Sequence, residues 1–74
     1  MNSMAVMGGA GDTKIIWDPA NDDEVKTAKR TFDDLLKKGF TAFKVEKGGD
    51  KGDKITDFDK DAEKLILVPR MAGG

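Results

Sequence analysis

One segment constrains this chain more than any other. Residues 22–38 carry apolar side chains on a single side of a helix. Val25, Ala28, Phe32, Leu35 and Leu36 follow one another at spacings of 3, 4, 3 and 1, which is the stripe of an amphipathic helix. Asn21 stands before it as an N-cap, and Glu24, three positions on, completes the pattern of a capping box with Asn in place of Ser or Thr. Asp22, Asp23 and Glu24 place negative charge where the helix dipole favours it. Lys37 and Lys38 fall in the last turn, and Gly39 is set to be the C′ residue. A lone helix cannot bury such a stripe by itself, so the rest of the chain must supply one apolar face.

That face reads as a small sheet. Thr13 to Trp17 (TKIIW) is β-branched and aromatic, and Asp18-Pro19 stops it. Phe40 to Val45 (FTAFKV) predicts a second strand, reached from the first by crossing over through the helix, which suits a parallel arrangement. Residues 48–53 form a turn-rich loop, and Lys54 to Phe58 (KITDF) predicts a short or edge strand. Glu63 to Val68 (EKLILV) holds four consecutive apolar residues, as expected of a central strand apolar on both faces. Pro69 ends it, because it cannot donate to the ladder.

Residues 1–11 hold three Met and three Gly and no charge. They read as a flexible segment. The other reading makes Met4 to Met7 a short strand, hairpinned through the glycines onto the next one. The expected fold class is therefore α+β, a small mixed β-sheet packed on one amphipathic helix. The domain spans residues 12–69, with flexible segments at 1–11 and 70–74.

Composition excludes several functions. A chain of 74 residues is one domain at most. It has no Cys and no His, so disulfides, thiolate metal sites and triad-type nucleophilic catalysis are unavailable. With 13 Lys plus Arg against 14 Asp plus Glu, the net charge is −1, unlike the basic balance of a nucleic-acid binder. The longest apolar run, Leu65-Ile66-Leu67-Val68, is far short of the roughly 20 residues that span a bilayer. No export segment is recognisable in residues 1–11, so the expected location is cytoplasmic, with neither nucleic acid nor membrane as a partner. Large apolar residues suffice for one small core and leave little for an enclosed substrate pocket.

The charged motifs favour solvated surface over chemistry. Asp57-x-Asp59-x-Asp61-x-Glu63 resembles a calcium loop, but its register puts Ala62 where Gly is needed and Val68 where Glu is needed. Neither glycine cluster fits a phosphate-binding template. Asp33 and Asp34 point about 100° apart on a helix and cannot share a site. Lys26, Lys29, Arg30, Lys37 and Lys38 interleave with them as a solvated helix face. No catalytic side chain and no metal ligand set is predicted, and the chain is not expected to be an enzyme.

The tail is more specific. A hydrophobic strand runs into Leu67-Val68-Pro69-Arg70-Met71-Ala72-Gly73-Gly74. At these residues the chain resembles the ubiquitin-like β-grasp proteins, in particular the prokaryotic sulfur carriers: the small subunit of molybdopterin synthase and the thiamine-pathway carrier. There the last strand passes into a Pro-containing, small-residue tail that ends in Gly-Gly. The earlier part agrees in element order, with the usual N-terminal hairpin lacking or reduced.

The resemblance implies a β-grasp fold and a carrier or modifier function. A partner enzyme would adenylate the Gly74 carboxylate with ATP. The product would take sulfur as a thiocarboxylate and meet a sulfur-acceptor enzyme, or be conjugated to target-protein lysines. No cofactor would be bound to the chain itself. The chemistry has a physical basis, because only residues without a Cβ let backbone thread a narrow channel so closely. Gly73 and Gly74 meet that need, with Ala72, Met71 and Arg70 completing the tail. Partner docking is expected on the sheet face near Leu65, Leu67 and Phe43. The alternative is a small protein-interaction or adaptor domain of β-grasp-like fold with an incidental Gly-Gly end.

Overall fold

A computed structural model of the chain describes residues 1–8, 11–45 and 52–69. Helix α1 runs Asp22–Lys37, as its stripe predicts. The Asn21 side-chain oxygen accepts the backbone N–H groups of Asp23 and Glu24 at 3.1 and 3.2 Å. Glu24 closes this cap differently from a standard capping box. Its carboxylate accepts the Asp18 N–H at 2.8 Å and the Asn21 amide at 3.2 Å, while the Asn21 N–H goes to the Asp18 carbonyl. The cap thereby holds the residues between strand and helix as well as the helix itself.

The far end is a Schellman motif. The Gly39 N–H donates to the Leu36 carbonyl and the Phe40 N–H to the Leu35 carbonyl, both at 3.0 Å. This requires φ of +100° at Gly39, which a residue with a Cβ rarely adopts. Phe40 is thereby turned back onto the core.

Five strands form one mixed sheet: β1 (Asn2–Val6), β2 (Thr13–Trp17), β3 (Thr41–Val45), β4 (Gly52–Ile55) and β5 (Lys64–Val68), in the order β2-β1-β5-β3-β4. β1 and β5 are parallel, and the other neighbours are antiparallel. One helix on a five-stranded mixed sheet is an α+β architecture of β-grasp-like form.

Two expectations change. Residues 1–11 are not wholly a flexible segment: Asn2–Val6 is a strand lying between β2 and β5, and Met4 is fully buried. The N-terminal hairpin is therefore present. The short strand expected at Lys54 to Phe58 sits earlier, at Gly52–Ile55, and leaves Phe58 free to turn its ring into the core. β2 and β3 do run parallel, but β1 and β5 lie between them. β5 is central, as its apolar run requires. Most of the loop expected at 48–53, and the tail at 70–74, lie outside the described residues.

The core lies between α1 and one side of the sheet. Met4, Trp17, Phe32, Leu65 and Leu67 are completely buried, and each contributes about 1.5–3 kcal/mol by leaving water. Val25, Leu35, Leu36 and Ile55 pack around them. The Phe58 ring lies 5.1 Å from Trp17 and 5.7 Å from Phe32, in the tilted and edge-on geometries that aromatic pairs prefer. The Trp17 indole N–H donates to the Lys60 carbonyl at 2.9 Å, and the Asn2 side-chain amide donates to the same oxygen at 2.9 Å.

Trp17→Phe removes one of those donors and leaves unfilled volume. It should lower stability by about 1–3 kcal/mol. In urea titrations the midpoint should fall with an unchanged slope.

Candidate functional site

Strand register decides which residues the sheet offers to a partner. Leu65 pairs with Met4 and Lys44, and Leu67 pairs with Val6 and Ala42. All of these lie on the helix side. Leu65 and Leu67 have no exposed surface, so the docking face expected around them is corrected: they belong to the core. Phe43, the third residue of that expectation, lies on the opposite side of the sheet, across from Ile66.

Among the described residues that opposite side carries no helix. One cross-strand row runs Lys14, Ala5, Ile66, Phe43, Lys54. It is apolar in the middle and basic at both ends. Ile16 and Lys64 stand beside it in the next row, and Ile16 keeps 52% of its surface exposed. Along the five strands no Asp or Glu points to this side, since Asp53 pairs with Lys44 on the helix side. Gly52, opposite Val45 in that next row, comes close to Phe43. A Cβ at Gly52 would stand 2.9 Å from the Phe43 Cβ, so only glycine lets β4 approach so closely.

β5 delivers the chain to the tail. Held by β1 on one side and β3 on the other, it reaches Val68, which pairs with Thr41, and Pro69 follows. Gly73, Gly74, Ala72, Met71 and Arg70 lie outside the described residues. Among the described residues no helix is long and apolar enough to cross a membrane, and no group of three acidic side chains is placed to hold a metal ion.

The acidic run 57–63 has a structural use. The Lys44 ammonium meets the Asp59 carboxylate at 2.8 Å, and the other Asp59 oxygen accepts the Asp61 N–H at 2.9 Å. The Lys44 hydrogen bond, and then that of Asp61, hold Asp59 below its ordinary value of 3.8. On the helix, Lys29 and Asp33 form an exposed i,i+4 pair at 2.8 Å, whose hydrogen bond raises the Lys29 pKa.

No family model, curated protein or solved structure matches this chain. Its site is therefore described by its own geometry: an apolar, lysine-flanked sheet face beside the strand that leads into the tail.

A depressed carboxylate pKa stabilises the fold above the unfolded value and loses that effect as pH falls through the folded one. Native protein should exceed Asp59→Asn by about 1 kcal/mol at pH 7, since the pair is partly exposed. The difference should shrink as pH drops below 3.8, read by urea melts across an acid series.

Proposed function

We propose that this protein is a ubiquitin-like carrier or modifier whose C-terminal Gly74 carboxylate is activated by a partner enzyme. The observation that carries this reading is the placement of β5. It is a central strand pinned on both sides, and it leads through Pro69 into Arg70-Met71-Ala72-Gly73-Gly74. A rigid base followed by residues of decreasing size suits a tail that is threaded into another protein's active site. The ubiquitin-like resemblance of the tail and the β-grasp-like topology agree with one another.

In this reading a Gly74 carboxylate oxygen attacks the α-phosphorus of ATP in the partner's site. Pyrophosphate leaves and an acyl adenylate forms. A hydrosulfide ion supplied in the partner's site then attacks the acyl carbon, AMP leaves, a proton is lost, and a thiocarboxylate remains. Alternatively a lysine amine of a target attacks, AMP leaves, a proton is lost, and an isopeptide bond forms. No side chain of this protein takes part, and no cofactor is bound to it. Phe43, Ile66 and Ile16 provide the apolar contact with the activating enzyme, and Lys14, Lys54 and Lys64 steer it.

The second reading, a protein-interaction module, draws on the same open face and needs no tail chemistry. The two part on one experiment. The full chain is incubated with ATP and adenylating enzymes from its source, and its intact mass is taken before and after. A gain equal to sulfur replacing oxygen, or a lysine-linked adduct, is expected, and neither should form on a chain lacking Gly74. Ile66→Asp should raise KM for activation without unfolding the chain. An unmodified chain with every enzyme, and a Gly74-deleted chain that keeps full activity in vivo, would refute the carrier reading.

A further inference from the structure

The far edge of the sheet carries a second feature, separate from the tail and sharing only Lys54 with the open face. β4 is an edge strand that pairs with β3 on one side only. Among the described residues no other segment donates to or accepts from the backbone of Gly52–Ile55. Beside this edge lies a groove of about 490 Å³ lined by Leu36, Gly39, Phe40, Ala42, Lys54 and Ile55 among others. Leu36, Phe40 and Ile55 are each only half-buried in it. An unpaired strand edge next to an apolar groove is the geometry of strand addition. The incoming backbone completes the ladder, and its alternate side chains enter the groove.

Charge narrows the occupant. Lys54 is the one charged residue among those that line the groove. Asp53 pairs with Lys44, toward the other end of β4 from Ile55. A second copy fits poorly. Extending the sheet about a two-fold axis requires facing residues to share a side. Registers centred on β4 then set Asp53 against Asp53, or Lys54 against Lys54, and like charges directly opposed destabilise a pair. A short edge bearing a lysine is also a familiar defence against self-pairing.

We propose that β4 and its groove accept an extended segment of a partner protein as a sixth strand, with apolar side chains facing Leu36, Phe40 and Ile55 and an alternate carboxylate meeting Lys54.

The test is an NMR titration of the full chain with a capped peptide alternating valine and glutamate. A peptide alternating valine and lysine is the control. Saturable shifts should be confined to the amides of residues 36–40 and 52–56. Lys54→Glu, a change at an exposed position, should weaken binding by about tenfold. Four results would overturn the proposal: no shift at roughly millimolar peptide, equal binding of the lysine peptide, shifts centred on Phe43 and Ile66, or the same amides shifting with protein concentration alone. Binding that emerges only in a chain ending at Pro69 would overturn it too, because the tail would then be the natural occupant. Since tail activation is read by mass and this by shifts at β4, either can fail without the other.

Discussion

One carbonyl oxygen joins the parts of this fold. The Lys60 carbonyl accepts from Asn2 at the start of β1 and from Trp17 at the end of β2. Those partners lie 58 and 43 residues away along the chain. Phe58, two residues before Lys60, sets its ring between Trp17 and Phe32 of the helix. The connection from β4 to β5 is thus tied to the N-terminal hairpin and to α1 at a single place. A domain of this size has little surplus stability and no disulfide to add any. Removing the indole would lose one hydrogen bond and leave a cavity beside Phe58, while the Lys60 carbonyl would keep Asn2 as its donor.

Much of this was legible from residue spacing. The helix announced itself by stripe, cap and Gly39, because those signals are local and agree with one another. β2, β3 and β5 were legible from β-branched and aromatic runs, and the central place of β5 from its unbroken apolar run. That same run concealed its phase. With Leu65, Ile66, Leu67 and Val68 all apolar, nothing local says which pair faces the helix, and a shift of one residue exchanges the two sides. This is why Leu65 and Leu67 were expected at a docking face and lie in the core instead. The hint was in Lys14-Ile15-Ile16-Trp17, where Lys14 and Ile16 share the outer side.

β1 was legible only as the second reading, Met4 to Met7 hairpinned onto the next strand, for a different reason. Met, Ala and Ser have no strong strand preference, and the pairing that makes Asn2–Val6 a strand comes from β2 and from β5, some sixty residues away in sequence. Such long-range partners leave no local mark. Phe58 was assigned to a strand by its aromatic character, whereas its burial depends on Trp17 and Phe32.

One side of the sheet is committed to the helix and carries the stability. Among the described residues the other is left as an apolar row with lysines at its ends, and β5, whose Ile66 belongs to that row, leads to Pro69. The account rests on β1 being an integral part of the sheet, since β1 brings Met4 into the core, carries Asn2 to the Lys60 carbonyl and supports one flank of β5. Native-state hydrogen exchange reads this directly. Amides of Met4 to Val6 should open only with global unfolding, at the same free energy as those of Leu65 to Leu67. Rapid exchange in β1 while β5 stays protected would contradict it.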